Sequence, residues 1–167
     1  MTGPSRRRKR SGGILVPVDG SRLSERAIAA AERLAVPARR PIILLHVLPP
    51  INPGRAARVD ETSARAALDR AYAEASRYLE RLQQRLERRG RTVRTVVRSG
   101  QQAADEILAC ARAERVDLIA MSSHGRSGLQ RVLLGSVAQA VVRNARLPVL
   151  LSPGPREAVG ARGRRGG

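Results

Sequence analysis

Asp117-Leu118-Ile119-Ala120-Met121-Ser122-Ser123-His124-Gly125-Arg126-Ser127-Gly128 opens the stretch that decides the fold, and it runs on through Leu129-Gln130-Arg131-Val132-Leu133-Leu134-Gly135-Ser136. Asp117 to Met121 is a short, mostly aliphatic run with the length of a buried strand. Gly and Ser dominate the connection after it. Helical spacing then begins near Gly135 and runs to Arg143. A strand that feeds a helix through such a connection is a βα unit, the building block of a parallel sheet. The connection also has a chemistry. A helix start presents N–H groups that lack intrahelical acceptors, together with the positive end of the helix dipole. Glycines let a phosphate approach the backbone and Ser hydroxyls add donors, so the stretch can cradle a phosphate. A polar loop ending in a Ser N-cap would use the same residues.

The same pattern extends outward in both directions. Ile14 to Val18 reads as a strand, and Ala27, Ile28, Ala31, Leu34 and Ala35 share one helical face. Pro41 leads into a second strand, Ile42 to Leu48. Pro49, Pro50, Asn52, Pro53 and Gly54 then break the chain into a loop. Ala64, Leu68, Ala71, Ala75, Leu79, Leu82 and Leu86 recur at helical spacing, with Arg and Glu on the other faces and Gly90 as the stop. Thr92 to Val97 alternates Val or Thr with Arg, as a strand near a sheet edge would. Ala104, Ile107, Leu108 and Ala111 mark a third helix, and Leu147 to Leu151 a fifth strand. The order βαβαβαβαβ predicts an α/β fold: a doubly wound, five-stranded parallel sheet with helices on both faces. Ligands of such sheets sit beyond the carboxyl ends of the strands. That directs attention to Asp19-Gly20-Ser21, Val47-Leu48, Ser99-Gly100 and Ser122 to Gly128.

These segments together resemble the universal stress protein family. Gly125, the nine residues Arg126 to Leu134, and Gly135-Ser136 match the spacing of its nucleotide-binding signature, with Ser122 where a first glycine would stand. Ile14-Leu15-Val16-Pro17-Val18-Asp19-Gly20-Ser21 matches its opening strand and Asp. Ile43-Leu44-Leu45-His46-Val47 matches its second strand. Asp117 to Met121 and Leu147-Pro148-Val149-Leu150-Leu151 match its fourth and fifth. The resemblance covers about residues 13–152. It implies strand order 3-2-1-4-5, a homodimer through the strand at 147–151, and a site for ATP, with or without Mg2+, or for ADP or AMP. By position, Asp19 would meet the ribose and the main chain at Val47 would read the adenine. Gly125, Gly135, Ser136 and Val137 would hold the phosphates, with Met121 and Ser122 lining the pocket. Pro17, Val18, His124 and Arg126 complete the expected nucleotide-binding set.

Composition bounds the alternatives. The formal net charge is +18 and the pI near 11.9, and Lys9 is the only lysine. A P-loop needs a lysine on the phosphates, so that mechanism is excluded, and no G-x-G-x-x-G opens a helix. Residues 1–12 and 153–167 are expected to be disordered basic tails that hold roughly eight of the net charges. Clustered Arg would attract nucleic acid or another polyanion without sequence preference, which is the alternative to a nucleotide-dependent role. With no Phe or Trp, and only Tyr72 and Tyr78, the chain lacks a stacking platform for single-stranded bases. Cys110 stands alone, which excludes an intramolecular disulfide and a Cys-based zinc site and suits a reducing cytoplasm. It falls on the apolar face of the third helix and reads as inert core. No apolar run approaches the ~18 residues of a membrane span. His46 reads as a packed strand residue, and no third partner supports a His triad or metal site. Asp19 and Ser21 also read as helix caps. Catalysis is expected to be weak at most, because the loop has no lysine and no general base beyond Asp19.

Overall fold

The computed structural model describes residues 12–50, 61–123 and 134–153 of the 167. The two predicted tails, but for Gly12 and Pro153, lie outside these residues. Along the chain run β1 (Ile14–Pro17), α1 (Arg22–Ala38), β2 (Ile42–Leu48), α2 (Glu61–Glu87), β3 (Val93–Ser99), α3 (Ala103–Ala113), β4 (Leu118–Ser122), α4 (Ser136–Asn144) and β5 (Val149–Ser152). The sheet order is β3-β2-β1-β4-β5, and every neighbouring pair is parallel. Ile14 stands opposite Ile42 of β2 on one side and Leu118 of β4 on the other. The predicted fold and strand order are therefore those observed.

Both faces of the sheet are covered, which is why the central strands are nearly continuous aliphatic runs rather than alternating. Ile14 and Val16 point toward α1 and α2, where Ile28, Ala31, Leu79, Leu82 and Leu86 close one core layer. Leu15, Ile43 and Leu45 point the other way, against Ile107, Ala111 and Val141 of α3 and α4. Each buried Leu or Ile contributes about 1.5–3 kcal/mol of apolar transfer. β3 and β5 are the edges and are less deeply buried. On β3, Arg94 pairs with Glu114, the C-cap of α3, at 2.9 Å, and Arg98 with Glu106 of α3 at 3.2 Å.

Several boundaries differ from the sequence reading. β1 ends at Pro17, although Val18 still donates its N–H to the Leu45 carbonyl at 2.8 Å. β5 begins at Val149 rather than Leu147, because Pro148 has no N–H for the ladder. Leu34 is 44% exposed, not part of the buried face. It lies at the margin of the stripe formed by Ala27, Ile28, Ala31 and Ala35, where helical rotation carries it past the sheet. α2 stops as read: Gly90 adopts φ +74, and Arg91 returns its N–H to the Leu86 carbonyl at 3.1 Å. No helix among the described residues is long and apolar enough to cross a membrane.

Candidate functional site

β1 and β4 lie side by side at the centre of the sheet, but their chains leave in opposite directions. β1 feeds α1 on one face, and β4 leads toward α4 on the other. A crevice must open beyond their carboxyl ends, where the two connections part. A cleft of about 360 Å³ lies there, within the range of small-molecule sites. Its apolar lining comes from Pro17, Val18, Leu45, Val47, Ile107 and Met121. Its polar side chains are Asp19, Ser24, Ser122 and Ser136.

The β1–α1 turn is held by its own side chains. Asp19 Oδ1 accepts from the Ser21 amide at 3.0 Å and from the Ser21 hydroxyl at 2.6 Å. Ser21 Oγ in turn accepts from the Ser24 amide at 3.1 Å, which makes Ser21 the N-cap of α1. Asp19 is therefore not the cap itself: it orients Ser21 from two residues upstream and keeps its side chain beside the cleft. Ser24, buried within the turn, accepts the Asp19 N–H at 3.2 Å and donates to the Ser21 carbonyl at 2.9 Å. Gly20, at φ +85, supplies the left-handed step that lets the turn close. A carboxylate can accept about four hydrogen bonds, and Ser21 takes two of them.

His46 ties this turn to the sheet. Its Nδ1 lies 2.8 Å from the Val18 carbonyl. A carbonyl can only accept, so Nδ1 carries the proton and donates. The ring meets Tyr78 edge-on at 5.8 Å, and the Tyr78 hydroxyl donates to Glu25 Oε1 at 3.1 Å. Burial, reinforced by the charge of Glu25, pushes the Tyr78 phenol well above its ordinary value of 10.0. The ring of His46 is thus a structural tie, as its position in the strand suggested.

At the other side of the cleft, α4 begins with Gly135 as its N-cap, which has no side chain to cap with. The Gly135 amide, expected to face a phosphate, instead donates to the Ser123 carbonyl at 2.8 Å. That bond anchors the head of α4 to the end of β4. The amides of Ser136, Val137 and Ala138 have no acceptor among the described residues. These are the orphan donors of a helix start, and they lie at the cleft with the positive end of the α4 dipole.

Of the residues singled out from sequence, Pro17, Val18, Asp19, Val47, Met121, Ser122, Gly135, Ser136 and Val137 line this one cleft. His124, Gly125 and Arg126 lie outside the described residues. Sequence reasoning missed Ser24, Leu45, Ala103, Ile107 and Ala138. Leu45 and Ile107 carry only the signal of core residues. After β3 it is not Ser99-Gly100 that lines the cleft but Ala103 and Ile107, in the first turns of α3. No group of three or more His, Cys, Asp or Glu that could hold a metal occurs among the described residues.

The model of the universal stress protein family matches residues 12–153. Universal stress protein YxiE of Bacillus subtilis (strain 168) is 31% identical over 149 residues, spanning 83% of this chain and 96% of its own. The solved structure of MJ0577, a universal stress protein of Methanocaldococcus jannaschii, superposes with a TM-score of 0.77 at 29% identity, covering 89% of this chain and 99% of that one. A universal stress protein solved in complex with cAMP shares the fold at a TM-score of 0.53 and 24% identity, covering 86% of this chain and 98% of its own.

Proposed function

We propose that this chain, which belongs to the universal stress protein family, holds ATP or another adenine nucleotide in the cleft between β1 and β4, in a binding rather than a catalytic role. One observation carries the reading: a single cleft joins an apolar lining, a carboxylate and an unsatisfied helix start. The apolar lining suits a flat base, with the main chain at Val47 within reach of its polar edge. Asp19 is an acceptor for ribose hydroxyls, already oriented by Ser21. The amides of Ser136 and Val137 are donors for phosphate oxygens. Ser122, in the place of a glycine, is buried and small enough to leave that approach open. Mg2+ would come with the nucleotide and be held by its phosphates, since the described residues offer it no cluster of their own. A protein of this fold holds cAMP, so cyclic and linear adenine nucleotides belong in the same ligand series.

The reading is of binding rather than turnover because the connection before α4 carries no lysine to meet a transferring phosphoryl group. Occupancy, read by a partner or by a second copy, is then the signal in a stress response. The half-exposed edge strand β5 is the surface for that second copy, to be checked by sedimentation with and without nucleotide. A cytoplasmic setting fits a chain whose one cysteine is buried and unpaired.

Calorimetric titration with Mg-ATP, ADP, AMP and cAMP tests the proposal. We expect saturable binding of at least one of them, weakened at least ~10-fold by Asp19→Ala, which removes an oriented charged acceptor worth about 1.5–3 kcal/mol. Absence of heat and of thermal stabilisation at millimolar nucleotide for the whole series would overturn the reading. Phosphate release faster than about one per second would overturn the preference for binding.

A further inference from the structure

The positive charge of this chain is not spread evenly over its helices. On α1, Arg22, Arg26 and Arg33 are all exposed and recur at spacings of four and seven residues, which stacks them in one row. Ala27, Ile28, Ala31 and Ala35 of α1 are buried on the opposite side, so the row faces out from the sheet. On α2, Arg70, Arg77 and Arg81, with Arg88 in the turn that follows, form a second exposed row at spacings of seven, four and seven. Ala75, Leu79, Leu82 and Leu86 oppose it from the core. At a rise of 1.5 Å per residue, the rows are about 16 and about 27 Å long.

The two rows run side by side. Glu25 and Glu32 of α1 reach Arg85, and Arg89 with Arg91, at 3.0, 3.2 and 3.5 Å. These pairs rise along both helices in the same direction, so α1 and α2 run parallel, bridged by long side chains. The same ion pairs neutralise the acidic side chains of the seam. Among the described residues, none of the seven row arginines is in an ion pair. Glu74 flanks the α2 row on the α1 side, while Glu80 and Glu87 lie on its far flank. The outer face of this layer is therefore a pair of parallel guanidinium tracks.

We propose that this α1–α2 face is a docking surface for duplex nucleic acid, bound through its phosphate backbone without reading the bases. Two parallel cationic tracks are complementary in charge to the two phosphate rows that border a groove of B-form DNA. Arginine is the side chain suited to phosphate, because its planar fork donates two parallel hydrogen bonds. Single strands are disfavoured because this face has no aromatic platform: Tyr78 is half-buried against His46, and Tyr72 donates to Ser99 at 3.1 Å. A membrane surface is disfavoured because Ala29, Ala73 and Gln84 separate the arginines, where an interfacial helix would carry large apolar residues.

Equilibrium binding of the full chain to a 20-base-pair duplex of arbitrary sequence, over a range of salt, tests this. The quadruple variant Arg70→Gln, Arg77→Gln, Arg81→Gln, Arg88→Gln removes one track with good helix formers. The control Arg112→Gln, Arg115→Gln, Arg143→Gln, Arg146→Gln removes the same charge from exposed positions outside this face. Each phosphate contact contributes about 0.9 to the slope of log K against log salt. The track variant should bind at least ~10-fold more weakly at 0.1 M salt, with a slope flatter by about 3, while the control keeps most of both. Nucleotide affinity, measured in parallel by calorimetry, should be unchanged in the track variant, which separates this proposal from that for the cleft. Equal losses in the two variants would mean bulk charge alone and would overturn it. So would no duplex binding by the parent chain, or tighter binding to single strands or to vesicles containing phosphatidylserine.

Discussion

Asp19, Ser21, Ser24 and His46 show how a few side chains make a ligand-ready turn out of a strand end. Three of the four are local, and their hydrogen bonds span two to five residues. The fourth is long-range, because His46 reaches Val18 from the neighbouring strand. Only a donor at the Nδ1 position serves the Val18 carbonyl. His46→Leu should lower stability by about 1–2 kcal/mol and weaken nucleotide binding, whereas His46→Asn, whose amide N–H falls near Nδ1, should recover part of both. Denaturant unfolding and calorimetry on the two variants check this; equal losses would show that the ring matters through packing alone. Tyr78 makes a prediction in pH. Its proton is held in the folded chain above the ordinary value of 10.0, so above about pH 10 the unfolded chain releases a proton that the folded one keeps. Stability from this group is complete below that point and falls as pH rises through it. Tyr78→Phe should flatten the alkaline decline in an unfolding series from pH 8 to 11.

At the scale of elements, two left-handed residues behave oppositely. Arg39 closes α1 at φ 49, a conformation that costs a side chain about 1–2 kcal/mol. Arg39→Gly should therefore stabilise the chain, by up to about 1 kcal/mol, since it keeps the backbone bonds to the Ala35 and Val36 carbonyls. Gly20→Ala should do the reverse at φ +85, although nothing lies within 4 Å of the added Cβ. Its cost of about 1–2 kcal/mol falls on the turn that orients Asp19, so nucleotide affinity should drop with stability. Thermal melts rank the two variants on either side of the parent, and a stabilised Gly20→Ala would contradict the assigned backbone strain. Leu34 belongs to this scale too. Its spacing fitted the helical face, but a helix against a sheet buries a stripe, and a residue at the margin of that stripe stays 44% exposed.

For the whole molecule, the cleft and the arginine tracks lie on separate parts of the sandwich, one beyond the strand ends and one on the outer face of α1 and α2. A nucleotide at a hundred times its Kd should stabilise the native state by about 2.7 kcal/mol, visible as a rise in Tm at any duplex concentration. The fold was legible because the strands are short, the central ones largely aliphatic and β3 alternating Val or Thr with Arg, and each helix carries a clean period, as in Leu79, Leu82 and Leu86. Those signals are local consequences of burial on two faces. Asp19, Val47, Met121 and Ser136 were legible for a similar reason: a parallel sheet puts its ligands beyond strand ends, and strand ends are visible in a sequence. Ser24, Leu45, Ala103 and Ile107 were not, because nothing in a core residue's pattern tells which end of the core opens to solvent. Sequence by itself determined the elements, their order along the chain and the small-residue connection before α4. Tertiary structure alone decided that the Gly135 amide is spent on Ser123 while the next amides face the cleft, and that two arginine periods lie side by side. Both depend on which distant segments become neighbours, and periodicity within a segment carries no information about that.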